Sequence, residues 1–397
     1  MTERPIYLDH HATTPVDPAV LQAMLPWFTE RFGNAASRTH PYGQEAERAV
    51  EEARATVARL LGGRTREVVF TSGATEANNL AILGAAAAPS AGRPRTSGHV
   101  LSVVTEHKAV LDPIAALEGR GYDVTLLGVG ADGLLDPEAV VGALRPDTFL
   151  VSILLANNEI GVLQPVAEIS RRLRELDHPA WLHTDAAQAV GKIPVDVDAL
   201  GVDMLSISGH KVYGPKGVGA LWLRSRPRRV RLAPRVFGGG HERGLRSGTL
   251  DVPGIVGLAA ALELAERLRP GEAERVRGLC ERFFGAVREG ISDVVLHGDR
   301  DRRLPGNLSL GFPGTPGEFL LHELAGVAVS SGSACTSADP APSHVLAALG
   351  VAPELAHASI RVGVGRGNTA EEMDEAARRV VEGVQRLRTR YREAGNG

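Results

Sequence analysis

The sequence predicts an α/β protein: a large domain built on a mostly parallel sheet, followed by a smaller C-terminal α+β domain. Two observations carry this expectation. Seven strand-like apolar runs lie between residues 68 and 224, separated mostly by helix-length segments; this is the alternation of a parallel sheet covered on both faces. After about residue 260 the alternation gives way to long helices rich in Arg, Glu, Ala and Leu, and then to short strands.

Apolar residues at 46, 49, 50, 53, 57, 60 and 61 mark an amphipathic helix that precedes the first strand, VVFT (68–71). The further strands are HVLSVVT (99–105), DVTLLGV (123–129), TFLVSILLA (148–156), AWLHTD (180–185), VDMLSIS (202–208) and GVGALWLR (217–224). The alanine-rich stretch 84–98 reads as a helix end and an exposed loop. Two helices are predicted over 251–268 and 272–290, broken at Arg269-Pro270-Gly271, then strands at VVLHG, NLSLGF, VAVSSG and SIRVGVG and a last charged helix over 369–392. The large domain is drawn as 13–262, and the small one as 1–12 with 263–397.

Composition narrows the function. With 43% hydrophobic and 23% charged residues the chain is globular rather than disordered, and a net charge of -3 gives no basic surplus for nucleic acid or an anionic membrane. Two cysteines make neither a disulfide framework nor a four-cysteine metal site, so no metal is expected. The N-terminal MTERPIYLDHHATTP has no apolar signal core and no run approaches a membrane span, which leads to an expectation of a cytoplasmic protein. Of 44 basic residues only Lys108, Lys192, Lys211 and Lys216 are lysine. In so arginine-rich a chain a lysine marks a place where arginine cannot serve, chiefly amine chemistry.

Several segments carry candidate chemistry. TSGATEANN (71–79) sets Gly73, Ala74 and Thr75 between a strand and a helix, which suits either a plain helix start or a phosphate-sized anion site. Asp185 ends a strand, where open α/β sheets place ligand groups, and either caps the next helix or pairs with a cofactor ring nitrogen; Gln188 follows one turn later. SISGHKVYGPKGVG carries Ser208, His210 and Lys211 after another strand, and Lys211 is the strongest Schiff-base candidate of the four lysines. Lys216 reads as a turn residue and Lys192 as a solvated connection. His107 opens a helix after a strand, as a backbone-bonded cap or as a ring stacked on a planar cofactor and able to move protons. Cys335, inside SSGSACTS, is a reachable thiol among small residues, either an ordinary loop thiol or a nucleophile; Cys280, at helical spacing, reads as a core thiol.

Together these segments resemble the cysteine desulfurases, pyridoxal 5'-phosphate (PLP) enzymes of the class V branch of the fold-type I aminotransferases. The likeness runs from IYLDHHATTPVD through FTSGATEANNLAI, TEHKAVLD, NNEIGV, HTDAAQ, SGHKVYGPKGVGAL, GLRSGT and SSGSACTS to SIRVGVGR. The resemblance implies that Lys211 carries the cofactor, His107 stacks on its ring, Asp185 pairs with the ring nitrogen and Gln188 bonds the ring oxygen. It further implies that Ala74, Thr75, Ser208 and His210 hold the phosphate, with Thr249 completing the site of the other subunit of a homodimer. Asn158 and Arg361 would bind the substrate carboxylate, and Cys335 would take the sulfur of L-cysteine as a persulfide on a long catalytic loop, releasing L-alanine. Selenocysteine lyase or another class V activity is the alternative, and a non-catalytic binding module a distant one. The likeness departs from the family at GNAAS and at His10 and His11. The short end, RYREAGNG, leaves docking of an iron–sulfur scaffold as acceptor open.

Overall fold

The computed structural model describes residues 4–90, 93–324, 326–331 and 342–395. Seven strands form one sheet: β1 (Val68–Thr71), β2 (His99–Val103), β3 (Asp123–Leu127), β4 (Thr148–Ser152), β5 (Trp181–Asp185), β6 (Met204–Ser208) and β7 (Gly219–Leu223). Their order is β1-β7-β6-β5-β4-β2-β3, parallel throughout except for β7, which runs antiparallel to both neighbours. Apolar side chains alternate between the two faces. Val68, Phe70, Leu205, Ile207, Ala220 and Trp222 join one core, and Val69, Met204, Leu221 and Leu223 the other. In β1, β2, β4, β6 and β7 every residue is buried, which explains why these strands read as continuous apolar runs, whereas the edge strand β3 is partly exposed.

The first core is closed by helix α1 (Pro41–Leu60) through Ala46, Ala49, Val50, Ala53 and Val57, the spacing expected from the sequence. The second is closed by α2 (Ala74–Ala87) and α3 (Lys108–Glu118). A separate C-terminal core gathers Phe283, Val287, Leu308, Leu310, Ile360, Val362, Val380 and Val384 between a four-stranded sheet and the last helix, Ala370–Gly395. Leu8 belongs to this C-terminal core, and Ile6–Tyr7 pairs in parallel with Val327–Ala328.

One expectation is corrected. The predicted break at Arg269-Pro270-Gly271 is absent, and a single helix, α4, runs from Val252 to Gly290 through Pro270. Pro270 is exposed, so the carbonyl that loses its N–H partner faces water rather than the core. The two halves of α4 serve different cores: Val252, Leu258 and Ala265 pack in the first, and Val276, Phe283 and Val287 in the C-terminal one. Among the described residues no helix is long and apolar enough to cross a membrane.

Candidate active site

The strand directions decide where chemistry gathers. The carboxyl ends of β1, β2, β4, β5 and β6 all point to one edge of the sheet, and β7, running the other way, begins there. A cavity of about 520 Å³ opens at that edge and is lined by Ala74, Thr75, His107, Asn158, Asp185, Gln188, Ser208, His210 and Lys211. Nine of the twelve residues singled out from the sequence thus meet, drawn from segments up to 137 positions apart, the span from Ala74 to Lys211.

The turn after β1 has Gly73 at φ 145°, ψ -179°, a backbone region open only to glycine. Gly219, at the start of β7, lies so close that a Cβ there would sit 2.7 Å from the Gly73 Cα. The bare backbone therefore delivers the first turn of α2 to the cavity with its N–H groups unspent on helix bonds. Ser208 and His210 face the same cavity from the end of β6. Burial, then the charges of Lys211 and Lys216, pushes the His210 imidazole down to about 4, and its Nδ1 contacts the Thr13 hydroxyl at 3.1 Å.

Asp185 plays the capping part considered for it, and its second oxygen is held by a side chain. Its Oδ1 accepts the Ala187 N–H at 2.9 Å, a local cap, and its Oδ2 accepts from Asn78 Nδ2 at 2.6 Å. The neighbouring Glu106 carboxyl is pushed well up by complete burial and then by the Asp185 charge. His107 caps α3, with Nδ1 accepting the Ala109 N–H at 3.0 Å. While that bond holds, the neutral ring carries its hydrogen on Nε2. Burial holds the imidazole below its usual range against the opposing Asp185 charge.

Lys211 follows β6 in a single turn, and its Nζ donates to the carbonyls of His11 (2.6 Å) and Ala12 (2.8 Å). The N-terminal segment thus braces the candidate lysine. Arg361 does not line the cavity. Its Nη2 donates to Asp9 Oδ1 at 2.8 Å and its Nη1 to the Asn158 carbonyl at 3.1 Å, while its buried Nε has no partner among the described residues. Asp9 Oδ2 also accepts the Ser330 hydroxyl at 2.8 Å. Thr249 is exposed on a loop outside the cavity, tied nearby by the pairing of Arg246 with Glu76. Cys335 lies outside the described residues, between Ser331 and Ser343. Ser343 caps the helix His344–Ala348 and gives its hydroxyl hydrogen to Glu159, whose carboxyl burial raises to about 7.

Some residues were misjudged or missed. Lys192 is no solvated connection: it is part-buried beside Lys211, and desolvation followed by the Lys211 charge pushes its amine down to about 7. Its scarcity as one of four lysines was the signal. Lys216 occupies its expected turn and lines the cavity as well. Thr13 and Ala12 also line it, and nothing in local pattern marks them, because a distant chain contact brings them there. Cys280 is a buried core thiol, as expected. No group of three or more metal-ligating side chains occurs among the described residues.

Residues 6–375 match the class-V aminotransferase family. The chain is 54% identical over 384 residues to a protein named "Cysteine desulfurase IscS" from Anaeromyxobacter dehalogenans (strain 2CP-C), spanning 97% of this chain and 93% of that one. Among solved structures, a "NIFS-LIKE PROTEIN" superposes with a TM-score of 0.88 at 36% identity, covering 96% of this chain and 100% of that chain. A structure described as "SspA in complex with cysteine" superposes with a TM-score of 0.77 at 37% identity, covering 91% and 99% respectively.

Proposed function

This chain belongs to the class-V aminotransferase family, and on that premise we propose that it is a cysteine desulfurase that converts L-cysteine to L-alanine and leaves the sulfur on Cys335 as a persulfide. The observation that carries the reading is the convergence on one cavity of an amine, Lys211, a strand-end carboxylate, Asp185, and a helix N-terminus flanked by hydroxyls.

These residues fit pyridoxal 5'-phosphate. A phosphate monoester suits the first turn of α2 with Thr75 and Ser208, and the bare backbone of Gly73 and Gly219 leaves it room. Asp185 suits a protonated ring nitrogen, Gln188 the ring oxygen, and His107 a flat ring lying over it. When bound, the cofactor supplies an electron sink for the pair left at the substrate Cα.

The chain's own residues do the rest. Lys211 would hold the cofactor through its amine, and that amine, once free, would take the proton from the substrate Cα. Asn158, in the cavity lining, receives the substrate carboxylate, and Arg361 joins it by exchanging the Asp9 carboxylate for that of the substrate, a role that suits the planar guanidinium. His107 donates from Nε2, and takes up the substrate thiol proton only by releasing Ala109. The Cys335 thiolate attacks the substrate sulfur: the Cβ–S bond breaks, an S–S bond forms, the enzyme thiol is oxidised and the carbon skeleton is reduced to L-alanine. Atoms balance, since cysteine plus an enzyme thiol equals alanine plus an enzyme persulfide. Thr249, exposed on its own subunit, serves the phosphate site of a second copy in a homodimer. The acceptor is a protein thiol or an iron–sulfur scaffold, and the setting is the cytoplasm.

Two variants separate the parts. Cys335→Ser is expected to keep the visible absorbance of bound cofactor and to lose formation of persulfide and sulfide from L-cysteine; full turnover would remove Cys335 from the mechanism. Lys211→Ala is expected to lose that absorbance and all borohydride-dependent fixation of the cofactor. Turnover of selenocysteine with none of cysteine would move the chain to the lyase reading.

A further inference from the structure

Behind Lys211, on the side away from the cofactor cavity, lies a second chamber of about 40 Å³, room for an ordered water. Lys211 lines both spaces, and so belongs to the partition between them. His10, His11 and Lys192 line only the second. Gln188 bridges the two: it lines the cofactor cavity, while its Oε1 meets Lys192 Nζ at 3.1 Å and His11 Nδ1 at 3.0 Å. Its Nε2 donates to the His11 carbonyl at 2.9 Å, which leaves one further N–H hydrogen for the cavity.

His11 Nε2 faces the Gly306 carbonyl at 3.1 Å, an acceptor only, so that nitrogen carries a hydrogen. A second hydrogen on Nδ1, toward Gln188, would make a buried imidazolium. Burial opposes that charge, as do Lys192 and Arg361. Lys192 meets the same opposition from burial, Lys211 and Arg361, against Glu272. Arg269 and Arg366 also border the chamber. His11 therefore stays neutral with Nδ1 lacking a hydrogen, and Gln188 Oε1 takes its hydrogen bond from Lys192 Nζ.

We infer that Lys192, with His11, is a positioning residue: Lys192 donates to the Gln188 carbonyl oxygen from the chamber side while the His11 backbone carbonyl takes one amide hydrogen, and together they turn the remaining N–H into the cofactor cavity. This rests on the reading of Gln188 as the partner of the cofactor's ring oxygen. It assigns a use to a lysine and a histidine that the mechanism does not otherwise employ.

A double-mutant cycle tests the grip. Affinity of the full chain for pyridoxal 5'-phosphate is measured for the wild type, Lys192→Met, Gln188→Ala and the pair. Lys192→Met is expected to bind about tenfold more weakly, the loss of one charge-assisted hydrogen bond. In the Gln188→Ala background the same change is expected to do nothing further. Lys192→Gln, which keeps a donor without the charge, is expected to recover most of the affinity, and it carries the test if Lys192→Met fails to fold. Wild-type affinity in Lys192→Met, a loss that adds in full to that of Gln188→Ala, or no recovery by Lys192→Gln overturns the inference. A second readout needs no cofactor. With only four lysines in the chain, 13C-lysine labelling resolves each one. The Lys192 signal is expected to move in cofactor-free Gln188→Ala; an unmoved signal overturns the inference even where the cofactor reading itself has failed.

Discussion

Glu159 shows how one side chain ties stability to pH. Its carboxyl is 5% exposed, accepts from Ser343 and is raised by burial from 4.5 to about 7. The folded state therefore holds a proton that the unfolded chain releases between pH 4.5 and about 7, and the stability contributed by this group falls as pH rises through that window. Glu159→Gln removes the ionisable group and keeps an acceptor for Ser343. It is expected to change urea stability little at pH 4.5 and to raise it by about 1–3 kcal/mol at pH 8; an equal change at both values would refute the assignment. The chemical candidates at this scale were legible because their residue types are informative: an amine, a strand-end carboxylate, a helix-opening histidine. Asp9 was not, because its importance lies in holding Arg361 and Ser330, residues 352 and 321 positions away.

The strand-to-helix turn from β1 to α2 is the element on which cofactor binding depends most directly. Gly73 sits at φ 145°, and the nearest atom to a Cβ built on it is Ser208 Oγ at 3.9 Å, so the restriction is one of backbone and not of space. Gly73→Ala is expected to cost about 1–3 kcal/mol of stability and to weaken pyridoxal phosphate binding in parallel, read by urea unfolding and by titration of the cofactor. Retained affinity would detach the phosphate from this turn. The large-sheet strands were legible from their apolar runs, though not their ends: TFLVSILLA reads as nine residues, whereas the regular strand covers Thr148–Ser152 and beyond it Ile153 and Leu155 keep single hydrogen bonds to the His183 and Asp185 carbonyls. The long helix was not legible. A proline after arginine and before glycine is a proper stop signal, yet tertiary packing on both sides of it, in two separate cores, holds α4 continuous.

At the scale of the whole molecule the chain divides its stability between cores. Phe283 is fully buried in the C-terminal one and is not among the residues that line the cofactor cavity. Phe283→Ala is expected to lower stability by about 3–5 kcal/mol while leaving the cofactor's absorbance at its wild-type position under native conditions; a shifted spectrum would show that the two cores are not independent. The sequence by itself determined the α/β class, the number of large-sheet strands and the chemical identity of most of the site, because hydrophobic periodicity and rare reactive side chains are local properties of the chain. Tertiary structure alone decided that β7 runs backward and brings Lys216 to the cavity, that residues 9–14 brace Lys211 and Arg361, and that Lys192 lies beside Gln188 rather than in water. Those outcomes turn on which distant segments come within a few ångströms of one another, and burial and hydrogen bonding there give a side chain a role that its neighbours in sequence cannot reveal.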